Sequence, residues 1–291
     1  MLMEGFYTAL GTPLDESGNV VVRSLENQIE DQISLGASGL LLFGSMGMGG
    51  CVKPGEYEKT LKAAASAVRG RCALLVGASE NSLARIAEKL AICDAEDIDG
   101  AVVTAPYYFK TGDASLLNFL EKAASMTKKD FYLYDLEFLT KHKMTYSMVQ
   151  ALSRLPNVKG IKSGDLLLVK RLMDEPVKEG FAPLISTIEF FDIAYIYGVK
   201  RYLDGIFACM PKSVSKFQKS LGAGDFCRAK ETLKEMVEAR AEMIGIGIWP
   251  AFSHAMNLLG YPGSFAPDYE LGISEEAKEA VRILMARLGE I

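Results

Sequence analysis

Eight short apolar runs, separated by longer amphipathic stretches, occupy the first two hundred residues of this chain, and that alternation leaves few architectures open. The runs are Gly5–Leu10, Gly39–Ser45, Ala73–Ala78, Gly100–Pro106, Phe131–Leu136, Val158–Ser163, Ala182–Thr187 and Tyr202–Ala208. Each is nearly continuous in apolar residues, the pattern of a strand buried on both faces. Between them, Leu25, Ile29 and Ile33 recur at i, i+4 and i+8 before Gly36, and Leu83, Ile86 and Leu90 at i, i+3 and i+7. Asp113 is placed to cap a helix carrying Leu116, Leu120 and Ala123. Thr145 is placed to cap one carrying Met148, Leu152 and Leu155, which Pro156 ends. Strands alternating with helices make a parallel α/β sheet, and a count of eight points to a closed (β/α)8 TIM barrel. An open, doubly wound sheet is the alternative from pattern alone.

Beyond Pro211 the strand signal stops. Lys212–Leu221, Asp225–Ile244, Pro250–Leu259 and Ser274–Leu288 read as helices, the last with Val281, Leu284 and Leu288 as its apolar stripe. We therefore expect a barrel over residues 1–210 and a C-terminal helical extension over 211–291 packed on it. The length of 291 residues suits one barrel with such an extension. A hydrophobic share of 49% with 24% charged residues excludes a disordered chain.

A net charge of −5 gives no electrostatic reason to expect nucleic acid or an anionic membrane as partner. No apolar run approaches the roughly 18 residues of a membrane span. The opening MLMEGFYTAL lacks the basic start of a secretory leader, and the five cysteines are odd in number and scattered. Both features suit reduced thiols in the cytoplasm. The two histidines, His142 and His254, are not paired at helical spacing, so we expect no histidine-based metal site and no cofactor.

Barrels of this kind carry their chemistry at the C-terminal ends of the strands. The sixth run ends Val158-Lys159-Gly160-Ile161-Lys162-Ser163, and period-two alternation puts Lys162 on the face of Gly160 and Val158, with Lys159 opposite. Burial disfavours an ammonium and frees an amine that can condense with a ketone. A solvated lysine at the strand end fits the same residues. Tyr134, near the end of the fifth run, suits a general acid/base beside it, and equally a core tyrosine with a satisfied hydroxyl. After the second run, Gly44-Ser45-Met46-Gly47-Met48-Gly49-Gly50 offers backbone N–H groups to an anion and one hydroxyl. It lacks the spacing of a dinucleotide fingerprint. Ser213-Val214-Ser215-Lys216 matches a hydrolase S-x-x-K pattern, but its polar setting reads as a solvated helix face.

Taken together, Thr12-Pro13, Gly44-Ser45-Met46-Gly47, Gly77, Asn81, Pro106-Tyr107-Tyr108, Tyr134 and Gly160-Ile161-Lys162 follow the strands in an order that resembles the pyruvate-dependent class I aldolases, the family typified by dihydrodipicolinate synthase and N-acetylneuraminate lyase. The resemblance runs over nearly the whole chain. It implies that Lys162 forms a Schiff base with the keto carbon of pyruvate and that Tyr134 shuttles protons. It further implies that Ser45 links Tyr134 to Tyr108, a tyrosine that a neighbouring subunit supplies, in a homo-oligomer (dimer or tetramer). Gly44 and Met46, with the Ser45–Met46 amides on the carboxylate, then line the substrate site together with Leu139, Glu189 and Ile206.

The departures bear on the second substrate. Met46 replaces a second hydroxyl residue and Met48 an acid, while the backbone amides persist. Leu139 stands where the synthases carry an arginine for the carboxylate of their aldehyde, and Asp135 and Glu137 add negative charge nearby. Glu189 stands where the sialic acid lyases bind sugar hydroxyls, although a helix-start carboxylate in solvent fits equally, and Ala208 lacks the lyases' hydroxyl. The expectation is a lyase that cleaves a 2-keto-3-deoxy acid to pyruvate and a neutral, hydroxylated aldehyde. The alternatives are 4-hydroxy-tetrahydrodipicolinate synthase, a dehydratase using the same imine, or a degenerate barrel that binds a keto acid without turnover.

Overall fold

The strands close into a parallel barrel in the computed structural model, which describes residues 2–291. They are β1 (Gly5–Ala9), β2 (Gly39–Leu42), β3 (Ala73–Gly77), β4 (Gly100–Thr104), β5 (Phe131–Asp135), β6 (Val158–Ser163), β7 (Ala182–Ile185) and β8 (Arg201–Asp204). Each pairs with the next, and β8 pairs back to β1 with Tyr7 opposite Leu203. The open-sheet alternative is thereby set aside. Several apolar runs extend past their strand, because the last residues turn into the loops of the barrel mouth. Ser45 is one of these, and Ile206–Ala208 forms a 3-10 turn after β8.

Alternation explains why the runs are continuous. Tyr7, Leu41, Leu75, Val102, Tyr132, Leu184 and Leu203 fill the barrel interior. The intervening residues, such as Phe6, Leu40, Leu74, Val103, Leu133 and Ile161, face the helices instead. Both faces are thus dry. The interior is also crowded: a Cβ on Gly100 would lie 2.5 Å from Tyr132 Cε2, so that position admits no side chain while the ring is there.

Around the strands run α1 (Val22–Ser34), α2 (Pro54–Val68), α3 (Leu83–Ala95), α4 (Asp113–Ala124), α5 (Glu137–Thr140), α6 (Tyr146–Leu152), α7 (Leu166–Asp174) and α8 (Phe191–Ile196). Thr145 caps α6 by accepting from Met148 N at 3.3 Å, as its spacing predicts. Asp113 does not cap α4. It is the first helical residue, Gly112 holds the cap position, and the carboxylate serves only as an acid in the first turn, where the helix dipole favours it.

The chain ends in α9 (Pro211–Gly222), α10 (Phe226–Ile246), α11 (Ile248–Leu258) and α12 (Glu275–Arg287). These helices share one apolar cluster with the barrel's outer face: Phe217 of α9 meets Tyr202 of β8 with ring centroids 5.7 Å apart. The S-x-x-K match on α9 is not a solvated face. Ser213 and Ser215 are buried, and the Ser213 hydroxyl donates to Glu290 at 2.7 Å. Glu290, buried although next to last in the chain, also accepts from the Lys212 and Ser213 N–H groups at 3.0 and 2.8 Å. It thereby supplies the acceptors that the first turn of α9 cannot provide for itself. Glu290→Ala leaves those donors buried and unpaired. We expect it to cost about 3 kcal/mol in a denaturant melt, since each such group costs about 1–3 kcal/mol. A loss below about 0.5 kcal/mol would show that solvent replaces the carboxylate.

Candidate active site

Period-two alternation holds along β5 and from Gly160 to the end of β6, but Val158 does not share the face of Lys162: it lies in the outer cluster, because the pairing shifts register between Phe131 and Tyr132. Tyr134 follows Tyr132 into the interior, and Lys162 is its registered partner on the next strand. Both are buried, at 5% and 8% exposure. The Lys162 Nζ donates to the Tyr134 hydroxyl at 3.1 Å and stands 4.3 Å from the centroid of its ring. The same phenolic oxygen lies 2.8 Å from Ser45 Oγ. An amine, a phenol and an alcohol thus form one hydrogen-bonded row, the solvated-lysine reading does not hold, and a proton can pass along the row without crossing bulk water.

Ser45 owes its position to the loop after β2. Thr12 Oγ1 donates to Gly47 O at 2.6 Å, and Met48 N to Ser45 O at 3.0 Å. Gly47 lies so close to the chain that a Cβ there would sit 2.8 Å from Leu10 O. Phe43 and Met48 both adopt left-handed backbone, at φ 55 and 51, which side-chain-bearing residues rarely do. Such local strain persists only where surrounding contacts over-determine it. Met46 is half-buried and packs where a Cβ on Gly205 would otherwise be, 2.5 Å from the Met46 Cβ. A thioether therefore takes the volume beside Ser45, and a side chain on Gly44 would have to displace Leu41, whose Cδ2 would lie 2.9 Å from its Cβ.

The remaining expected residues distribute unevenly. Leu139, on α5, is half-exposed on the wall of a cleft of about 380 Å³ that also contains Ser45, Tyr134, Thr104 and Thr140. Tyr108 is 76% exposed with its ring edge against Phe109 at 4.7 Å, and within this chain it does not reach Ser45. Asn81 Oδ1 accepts from the N–H groups of Tyr107 and Tyr108, both at 2.9 Å, and so sets the course of that loop. Glu189 follows β7 and faces a second cleft of about 830 Å³, where Arg240 of α10 grips it at 2.7 Å. Ile206 is buried in the cluster between strands and helices and lines neither cleft.

Asp135 lines that second cleft but is only 6% exposed: its carboxylate accepts from Met144 N at 3.1 Å and Ser163 Oγ at 2.7 Å, tying the β5 loop to β6. Burial pushes that carboxyl up, against the pull of the Ser163 hydroxyl and the Met144 N–H. Burial likewise raises Asp204 at the end of β8, opposed by the Ile206 N–H and then by the Lys162 ammonium. Sequence reasoning missed the rest of the cleft wall. Trp249 of α11 and Tyr269 close it from the C-terminal extension, and Lys89 on its far side pairs with Glu80 at 2.9 Å. No local pattern marks Trp249 or Tyr269, because the rest of the wall comes from distant segments.

The dihydrodipicolinate synthetase family model matches residues 2–285. The chain belongs to that family. Members of the dihydrodipicolinate synthetase family are Schiff-base lyases and synthases, and the chain is an enzyme of this class I aldolase type. Among curated relatives, the 4-hydroxy-tetrahydrodipicolinate synthase of Anaeromyxobacter sp. (strain Fw109-5) is 25% identical over 295 residues, covering 99% of this chain and 98% of the relative. That of Exiguobacterium sibiricum is 24% identical over 238 residues, 81% of each. Among solved structures, the Proteus mirabilis N-acetylneuraminate lyase superposes with a TM-score of 0.91 at 18% identity, covering all of both chains. YagE, a prophage protein of the family from E. coli K12 solved with pyruvate, gives 0.90 at 20% identity over 99% of each chain. At these identities the structural likeness speaks for the fold alone. No helix of the described residues is long and apolar enough to cross a membrane.

Proposed function

We propose that this enzyme is an aldolase that cleaves a 2-keto-3-deoxy acid into pyruvate and a neutral, hydroxylated aldehyde, with Lys162 as the Schiff-base residue. The observation that carries the reading is the buried row Lys162–Tyr134–Ser45, at 3.1 and 2.8 Å. The amine adds to the keto carbon, Tyr134 delivers the proton that lets water leave, and a protonated imine forms. In the cleavage direction Tyr134 takes the proton of the C4 hydroxyl, and the C3–C4 bond breaks. Its electrons enter the imine as an enamine, and the aldehyde departs. Protonation of C3 and hydrolysis then return pyruvate and the free amine.

A neutral aldehyde is supported by the cleft beside Tyr134. Leu136, Leu139, Val102 and Trp249 make its walls largely apolar, Thr104 and Thr140 add hydroxyl-bearing side chains, and Lys89 is engaged by Glu80, which Arg85 shares. We propose that the substrate carboxylate rests on the amides of Ser45 and Met46, where positive N–H dipoles gather without a cation.

A second reading is the synthase reaction, favoured by the names of the relatives and by the cations Lys110, Lys141 and Arg240 on the neighbouring cleft. One experiment separates the readings. Purified enzyme is incubated with pyruvate and borohydride for mass spectrometry. It is also assayed for pyruvate release from a panel of 2-keto-3-deoxy sugar acids and for condensation of pyruvate with aspartate semialdehyde. We expect an adduct on Lys162 and pyruvate release. Absence of the adduct overturns the Schiff-base assignment, and faster turnover of the semialdehyde than of every sugar acid supports the synthase. A homo-oligomer in which Tyr108 of one copy reaches Ser45 of another would complete the relay, and Tyr108 has the exposure that this requires.

A further inference from the structure

Among the described residues, six buried side-chain atoms lack a hydrogen-bond partner: Ser24 Oγ, Thr60 Oγ1, Thr104 Oγ1, Tyr202 OH, Gln218 Oε1 and Thr232 Oγ1. Buried polar groups of this kind are uncommon in native proteins, and each calls for an explanation. Only Thr104 of the six lines the cleft that holds Ser45 and Tyr134.

Its place in the barrel is specific. Thr104 on β4 is the registered partner of Tyr134 on β5, which is in turn the registered partner of Lys162 on β6. Partners in register point to the same side of a sheet, so all three side chains face the interior in one row, with their backbones about 5 Å apart from strand to strand. Thr104 is 6% exposed, and its backbone N–H is held by Ser79 Oγ at 3.0 Å. The main chain is therefore fixed. A turn about χ1 exchanges the methyl and hydroxyl groups and brings the hydroxyl to the cleft contents without moving the strand. A valine would fill the same space with no polar group to leave unpaired. Retention of a hydroxyl there is understandable if a ligand satisfies it.

We propose that Thr104 is a specificity-determining residue whose hydroxyl binds the substrate hydroxyl on the carbon adjacent to the aldehyde carbon. The proposal rests on the aldolase reading above. The order along the row sets the assignment. The imine carbon sits at Lys162, the oxygen that becomes the aldehyde carbonyl sits at Tyr134, and the next oxygen along the substrate falls on the side of Thr104. The ligand class is thus a 2-hydroxyaldehyde.

The test uses the full-length enzyme and two probe aldehydes of equal carbon number, D-glyceraldehyde and propionaldehyde, each condensed with pyruvate. In Thr104→Val, kcat/KM for D-glyceraldehyde should fall about tenfold, mainly through KM, the worth of one hydrogen bond. Propionaldehyde should change less than twofold. Thr104→Ser should restore the preference, and the valine variant should melt no lower than the parent. Equal losses with both aldehydes, or no loss with either, overturn the proposal. A parent enzyme that does not prefer D-glyceraldehyde overturns it too. Borohydride trapping of pyruvate on each variant keeps the two ideas apart: an unmodified Lys162 refutes the Schiff base, whereas a normal adduct with an unchanged aldehyde preference refutes Thr104 alone.

Discussion

Lys162→Met should lose the borohydride-trapped pyruvate adduct and at least about 10⁴-fold in kcat, while staying folded. The methionine side chain is close in length, so the interior is not emptied. What disappears is the amine that stands 3.1 Å from the Tyr134 hydroxyl at 8% exposure. Without it, no electron sink stabilises the carbanion at C3, and no neighbouring side chain in the row can replace it: Tyr134 and Ser45 move protons but cannot form an imine. The melting temperature should stay level or rise, because a buried polar head with few partners is removed from an apolar wall. Mass spectrometry and a pyruvate-release assay check both parts. Activity within about tenfold of the parent would mean that the chemistry does not pass through this amine.

Tyr134→Phe should lower kcat by about 10²- to 10³-fold, with a much smaller change in KM for the keto acid. The ring stays and so does its packing beside Leu41, Val102 and Leu184. The lost hydroxyl is the atom shared by Lys162 at 3.1 Å and Ser45 at 2.8 Å, so the variant separates the amine from the alcohol. Both carbinolamine dehydration and aldehyde release need a proton at that point, and both slow together. The adduct on Lys162 should therefore still form, only later in a timed borohydride quench. A variant that traps pyruvate as fast as the parent would remove Tyr134 from the relay.

The sequence carried the barrel because strands buried on both faces must be apolar throughout, and eight such runs leave room for little else. It carried Tyr134 and Lys162 for a related reason: on a strand, direction follows from counting by two. The extension was legible as helices for want of any strand signal after Pro211. The α4 boundary differs from the spacing by one residue: Gly112, not Asp113, takes the cap position. A distant partner accounts for Ser213: its polar neighbours suggest a solvated face, yet it is buried against Glu290, 77 residues away.

Period and composition, both local, determined the fold class, the inward-facing amine and phenol, and the glycine-rich loop. The tertiary structure decided what surrounds them. It paired Asp135 with Met144 and Ser163, set Arg240 on Glu189 across 51 residues, brought Trp249 and Tyr269 to the cleft wall, and left Thr104 facing it unpaired. Periodicity fixes only the side of an element on which a residue lies. Which atoms it meets depends on how separate elements pack, and packing is a property of the whole closed barrel.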